Sequence, residues 1–165
     1  MLSWDETPAA RGMGVLRRSS RTQPDFSGWR MFHPGEAGAV ARILVIDDDG
    51  FYRGVIRRIL EDGGHQVLET EDGREAVDLY RQFQPDVVVT DIFMPGMDGG
   101  EVIRALRAVD NHVKIVAVSG GGAFYDVDVL DMARKLGAAV ILRKLDPKER
   151  ILGEVDRILK APSAP

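Results

Sequence analysis

The chain has 165 residues, of which 44% are hydrophobic and 29% charged, and its formal net charge is -4 at pH 7. These values are ordinary for one globular domain, and they give no overall attraction to nucleic acid or to an anionic membrane. The sequence contains no cysteine, which excludes disulfides, thiolate catalysis and cysteine-bound zinc. Since it has neither a membrane-length apolar run nor a secretory signal, we predict a cytoplasmic protein.

The first part of the chain, residues 1–41, has glycine or proline at short intervals and no regular hydrophobic period. We predict that it is a disordered or weakly ordered N-terminal extension that folding does not require. Residues 161–165 are predicted to form a short tail. The predicted folded domain therefore covers residues 42–160.

Within residues 42–160, apolar runs alternate with helical patterns. The predicted strands are Ile43–Ile46, His65–Thr70, the run from Pro85 to Asp91, Ile115–Val118 and Ala139–Leu142. A helix is predicted after each strand, the second over about 73–83 and the fourth over about 124–136. The residues expected on the buried helix faces are Tyr52, Val55, Ile56, Ile59 and Leu60 in the first helix, Ala76, Val77, Tyr80 and Phe83 in the second, Val102, Ile103, Leu106 and Val109 in the third, and Ile151, Leu152, Val155, Ile158 and Leu159 in the fifth.

Five strands that alternate with five helices predict an α/β fold, a doubly wound five-stranded parallel sheet of the (βα)5 type. Four strands are continuous apolar runs, as strands buried on both faces require. His65–Thr70 is more polar, and we expect it at an edge of the sheet.

Polar residues follow the predicted strands where they end. Asp47 and Asp48 follow the first strand, Asp91 ends the third, Ser119 follows the fourth and Lys144 the fifth. Because the carboxyl ends of parallel strands form one rim, we expect these residues to share a pocket. Clustered carboxylates favour a hard divalent cation, Mg²⁺ above all, and the ammonium and hydroxyl could bind a phosphoryl group. The pattern indicates phosphoryl transfer to Asp91.

With these features the chain resembles the receiver domain of two-component response regulators, a flavodoxin-like module that a histidine kinase phosphorylates on aspartate. The resemblance covers about residues 42–160 and rests on the motifs ILVIDDD, TDIFMPGMDG, AVSG and LRK, in this order. The roles that it implies are phosphoacceptor for Asp91, metal ligands for Asp47 and Asp48, switch hydroxyl for Ser119, phosphate contact for Lys144, and a backbone carbonyl ligand of Mg²⁺ for Phe93.

Two positions depart from the family's pattern. Leu145 stands where a proline usually follows the lysine, so the family's cis peptide bond is not expected here. Ile141 stands where an aromatic side chain usually serves as a rotamer switch, so signalling through a swinging ring is not expected. Only a short tail follows Lys160 in the sequence, and we expect no DNA-binding or enzymatic output domain after it. We therefore expect a stand-alone regulator that takes phosphate from a histidine kinase or phosphotransfer protein and binds a further, unidentified protein.

Two alternatives remain at the level of the sequence. An aspartate-nucleophile phosphatase would place a second aspartate two residues after Asp91, but that position is Phe93, which cannot transfer a proton. A receiver-like scaffold that works without phosphorylation would not need the complete set of polar residues at the strand ends. The turn 120–122 lacks the lysine and hydroxyl of a P-loop. His33, His65 and His112 lack metal-ligand spacing and are expected on the surface or in strands.

Overall fold

The apolar runs of the sequence form one sheet with helices between the strands. The computed structural model describes residues 40–120 and 126–161, so the predicted extension up to residue 39 and the tail from residue 162 lie outside the described residues. The strands are β1 (Arg42–Ile46), β2 (Gln66–Thr70), β3 (Val87–Asp91), β4 (Ile115–Ser119) and β5 (Val140–Arg143). The helices are α1 (Gly50–Asp62), α2 (Ala76–Phe83, preceded by a 3-10 turn over Gly73–Glu75), α3 (Gly99–Val109), α4 (Asp126–Lys135) and α5 (Lys148–Lys160).

The strand order in the sheet is β2-β1-β3-β4-β5, and all neighbouring strands are parallel. The chain moves outward from β1 to β2 and then returns to the other side of β1 to form β3. This reversal creates a crevice beyond the carboxyl ends of β1 and β3, which is where ligands bind in open α/β sheets. The predicted doubly wound, flavodoxin-like (βα)5 fold is confirmed, with the polar second strand at an edge.

Alternate residues of each strand face opposite sides of the sheet and form two buried clusters. On one side, Val45, Val89 and Val118 pack with α1 and α5. On the other side, Ile46, Val88 and Ala117 pack with α2 and α3. With both faces covered, the central strands hold a fixed register, and this register places the polar residues that follow them. No helix among the described residues is long and apolar enough to cross a bilayer.

The structure corrects several predictions about burial. Val55 and Val109 were predicted on the buried helix faces but are 37% and 38% exposed, because each lies at the border of its apolar stripe. β5 was predicted to be buried on both faces, but it is the second edge of the sheet, and Ile141 is only partly buried. His65 was predicted to begin the second strand, but β2 begins one residue later at Gln66, and His65 is buried just before it. Ala41, assigned to the extension, is fully buried in the core.

Candidate functional site

The predicted site residues lie at the carboxyl edge of the sheet, at the ends of strands or directly after them. Asp47 and Asp48 directly follow β1, whereas Asp91 is the last residue of β3. Ser119 is the last residue of β4, and Lys144 directly follows β5. The register of the parallel strands therefore brings residues that are far apart in sequence close together in space.

Three carboxylates come together at this edge. Each of Asp47, Asp48 and Asp91 offers an oxygen, and these oxygens lie within 4.8 Å of one another. Asp47 and Asp91 are buried, whereas Asp48 is exposed. The cluster therefore has a closed inner side and an outer side that solvent and a reaction partner can reach.

The Lys144 ammonium lies between the two buried carboxylates. Its Nζ atom is 2.8 Å from Oδ2 of Asp47 and 2.9 Å from Oδ2 of Asp91. Burial lowers the pKa of Lys144, but the hydrogen bonds and charges of the two aspartates outweigh this effect and raise it above its ordinary value. The lysine is therefore protonated at neutral pH and neutralises part of the cluster's charge.

The local backbone holds Asp47 in place. Its Oδ1 atom accepts a hydrogen bond from the backbone N–H of Asp49 at 2.9 Å, and its backbone carbonyl accepts one from Arg53 at 2.6 Å. Asp49 itself caps α1 through the N–H groups of Phe51 and Tyr52, as its predicted place at the helix start requires. Burial raises the pKa of Asp47, and the Lys144 and Asp49 hydrogen bonds oppose this rise. A cation beside Asp47 therefore stabilises its charged form.

The loop after β3 closes tightly around Asp91. The Phe93 N–H donates a hydrogen bond to Oδ1 of Asp91 at 3.2 Å, and Asp98 caps α3 in a capping box with Glu101. Gly99 lies so close to the Asp91 carbonyl that a Cβ atom would collide with it. Gly99, the last residue of the TDIFMPGMDG motif, is therefore required by this close approach rather than by flexibility.

The loops after β4 and β5 are joined beside the acidic cluster. Ser119 is buried, and its carbonyl accepts a hydrogen bond from the Lys144 N–H at 2.9 Å. Asp91 pairs with Val118 in the β3–β4 register, so Ser119 lies one residue beyond that pair. The described residues contain no cis peptide bond, and the Leu145 side chain is 92% exposed. The loops that carry Ser119 and Lys144 are thus coupled through their backbones.

Two residues of α1 belong to the site but were not among the predicted site residues. The Tyr52 ring lies under Lys144, with 4.7 Å from its centroid to Nζ, and Arg53 binds the Asp47 carbonyl. The helical period predicted Tyr52 only as a core residue, and no motif in the sequence pointed to Arg53. The one feature of the sequence that could have indicated them is their position in the first turn of the helix that follows the acidic residues after β1.

The residues of the cluster fit a hard divalent cation. Mg²⁺ prefers carboxylate, carbonyl and water oxygens, and the cluster offers three carboxylates with an exposed side for water. Burial of Asp47 and Asp91 beside each other adds a further need for positive charge, which Lys144 meets only in part. The donor set thus suits Mg²⁺ better than zinc, which favours nitrogen and sulfur ligands.

Comparisons with known proteins agree with this geometry. Residues 43–156 match the family described as response regulator receiver domain. The chain is 32% identical over 120 residues to the chemotaxis protein CheY of Thermotoga maritima, covering 72% of this chain and 98% of that protein. It is 45% identical over 78 residues to the response regulator MprA of Mycolicibacterium vanbaalenii, covering 47% of this chain and 34% of that longer protein.

A solved structure of the chemotaxis protein CheY4 of Vibrio cholerae has the same fold. It superposes with a TM-score of 0.66 at 27% sequence identity. The superposition covers 73% of this chain and 99% of the CheY4 chain. The arrangement of sheet and helices described above is thus also found in a solved protein of about the same size as the folded domain.

Proposed function

Because the chain belongs to the response regulator receiver domain family, we propose that Asp91 accepts a phosphoryl group from the histidine of a kinase or of a phosphotransfer protein. The observation that carries this proposal is the position of the Lys144 ammonium, 2.8 Å from Asp47 and 2.9 Å from Asp91. A lysine in this position neutralises the carboxylate at rest and can then contact a phosphoryl group attached to it.

The proposed step is a displacement at phosphorus. A carboxylate oxygen of Asp91 forms a bond to phosphorus while the bond from phosphorus to the donor's histidine nitrogen breaks. The nitrogen keeps the electron pair of the broken bond, and the product on Asp91 is an acyl phosphate. Lys144 provides positive charge next to the new phosphoryl group, and the proposed role of Ser119 is to donate a hydrogen bond to one of its oxygens.

The proposed ligands of Mg²⁺ are Asp47, Asp48, Asp91 and the backbone carbonyl of Phe93. When bound, the ion supplies positive charge that offsets the charge of the phosphoryl oxygens. Asp47 is held for this role by the Asp49 N–H. Asp48 lies on the exposed side of the cluster, where the phosphodonor would approach.

We also propose that the protein is a single-domain regulator which signals, once phosphorylated, by binding another protein within a cytoplasmic phosphorelay. The nearly complete coverage of the Thermotoga CheY sequence supports this proposal. The kinase and the downstream protein are to be found by experiment. The expectations that the chain binds neither nucleic acid nor membrane directly remain predictions from its charge and composition.

The test is to incubate the full chain with acetyl phosphate and Mg²⁺ and to measure the mass of the intact protein. We expect one phosphoryl increment in the wild type and none in Asp91→Asn. Asp62→Asn removes an exposed carboxylate at the end of α1 and should leave the increment unchanged. No increment at any Mg²⁺ concentration would refute the proposal, and repeated turnover of small phosphate esters would favour the phosphatase alternative.

A further inference from the structure

Tyr52 is a buried aromatic residue whose surroundings are polar on one side. Its side chain is 8% exposed and packs with Ile56 and Leu60 in the core under α1. Its ring faces the Lys144 ammonium, with 4.7 Å from the ring centroid to Nζ. An ammonium within about 6 Å of a ring face is attracted by the negative potential of that face. The two side chains therefore form a cation–π pair at the edge of the acidic cluster.

The Lys144 ammonium is thus surrounded by three groups. Asp47 and Asp91 each hold it at hydrogen-bond distance, and the ring of Tyr52 covers a further side. A lysine side chain has four flexible methylene groups, and carboxylates alone fix such a point charge only loosely. The ring supplies a rigid wall that also keeps water from this side of the ammonium.

The ring itself is held in place by the start of α1. The Tyr52 N–H donates to the capping carboxylate of Asp49 at 3.3 Å, and the Asp49 N–H in turn donates to Asp47. One short segment therefore positions both the carboxylate and the ring that contact Lys144. A shift of the helix start would move both contacts together.

The hydroxyl group of Tyr52 does not explain why a tyrosine occupies this position. It is buried, and it has no hydrogen-bond partner among the described residues. A buried hydroxyl without a partner costs stability. The favourable interactions of this side chain in the structure are thus made by the ring, through the core on one side and through the ammonium on the other.

From these contacts we infer that Tyr52 is a positioning residue that holds the Lys144 ammonium against Asp47 and Asp91. The role in the response to phosphate rests on the proposed function, whereas the contact between ring and ammonium does not. The ring would hold the Lys144 ammonium in a position from which it can contact a phosphoryl group on Asp91. The strength of a partly desolvated cation–π pair corresponds to roughly threefold to thirtyfold in an equilibrium constant.

The test compares variants that keep or remove the ring. Tyr52→Phe keeps the ring and removes only the unpartnered hydroxyl, whereas Tyr52→Met fills similar space with a flexible apolar chain that has no ring. Tyr52→Leu is a second variant without a ring, in case the methionine variant does not fold. Tyr80→Leu is the matched control, because it removes a partly buried tyrosine from the opposite core cluster.

The first measurement is the proton NMR shift of the Lys144 ε-methylene, with no phosphate analogue present. Ring current should move this signal upfield in the wild type, in Tyr52→Phe and in Tyr80→Leu, and the upfield shift should vanish in Tyr52→Met or Tyr52→Leu. An unchanged Lys144 signal in the folded variants without the ring would overturn the inferred contact.

The second measurement is the apparent affinity for beryllofluoride, a phosphoryl mimic, at fixed Mg²⁺ concentration, read from amide shifts in β5. We expect Tyr52→Phe to match the wild type and the variants without the ring to bind about threefold to thirtyfold more weakly. Equal affinity in all variants, or equal loss in Tyr52→Phe and Tyr52→Met, would refute the positioning role. A wild type that does not respond to beryllofluoride would instead contradict the proposed function and leave the ring-current result standing.

Discussion

The Nζ atom of Lys144 lies 2.9 Å from Oδ2 of Asp91. Lys144 follows β5 and Asp91 ends β3, and β4 lies between these two strands in the sheet. The long lysine side chain thus reaches across the end of a neighbouring strand to the proposed phosphoacceptor. This contact links the loop after β5 to the Asp91 carboxylate. A group added to Asp91 must therefore change the surroundings of Lys144.

The first prediction concerns the charge of Lys144. Lys144→Met leaves Asp47 and Asp91 buried without their ammonium, and we expect it to lower the free energy of unfolding by roughly 1–3 kcal/mol in the absence of Mg²⁺. Mg²⁺ should restore part of this loss and bind more tightly to the variant, since it no longer competes with a positive charge. Thermal unfolding with and without Mg²⁺ measures both effects.

The control for this prediction is Lys148→Met, which removes an exposed charge at the start of α5. This variant should respond to Mg²⁺ like the wild type. An equal Mg²⁺-dependent rise in melting temperature for wild type and Lys144→Met would show that Lys144 does not compensate the charge of the cluster.

The second prediction concerns the close approach at Gly99. Gly99→Ala forces a methyl group against the backbone of Asp91 and Ile92 and should lower the free energy of unfolding by about 1–3 kcal/mol. It should also weaken Mg²⁺ binding, because the backbone at Asp91 must shift. Urea unfolding and Mg²⁺ titration check the two effects.

Gly54→Ala is the matched control for Gly99→Ala. Gly54 lies inside α1, and nothing lies within 4 Å of the Cβ atom that alanine would add. The exchange should stabilise the helix by up to about 1 kcal/mol. The explanation fails if both alanine variants change stability in the same direction.

The third prediction concerns His65 and pH. Burial lowers the pKa of His65 below its ordinary value of 6.5, and Asp156 opposes this effect through its charge. Between the lower folded pKa and about pH 6.5, the unfolded chain binds the proton more readily than the folded chain does. The contribution of His65 to the free energy of unfolding is therefore complete above about pH 6.5, and it falls as the pH decreases to the folded pKa. Urea unfolding at about pH 7.5 and about pH 5.5 measures the change.

His65→Gln should lose this part of the pH dependence, although it also loses the packing of the ring. A steeper loss of stability on acidification in His65→Gln than in the wild type would contradict the assignment.

Much of this fold can be predicted because its physical requirements are local. Strands buried on both faces need continuous apolar runs, and helices that cover them need a 3.6-residue period, so Val87–Val89 and the α3 stripe are recognisable in the sequence. The convergence of Asp47, Asp91 and Lys144 follows from the rule that parallel strands share one carboxyl edge.

What could not be predicted depends on contacts between distant segments. The period of α1 indicates that Tyr52 is buried, but it does not indicate that the ring lies under a lysine from another loop. The same period cannot show where neighbouring helices stop covering a stripe, which is why the burial of Val55 and Val109 was predicted wrongly. His65 is polar, and only the packed structure shows that it is enclosed beside Ala41 and Asp156.

The most direct test of the central claim is to find which carboxylate carries the phosphoryl group. The chain is treated with acetyl phosphate and Mg²⁺ and then with borohydride, which reduces an aspartyl phosphate to homoserine, and the peptides are sequenced by mass spectrometry. Since Asp91 is the buried acid paired with Lys144 on β3, we predict homoserine at position 91 and unmodified aspartate at positions 47 and 48. Homoserine at position 47 or 48, or none at position 91, would contradict the account.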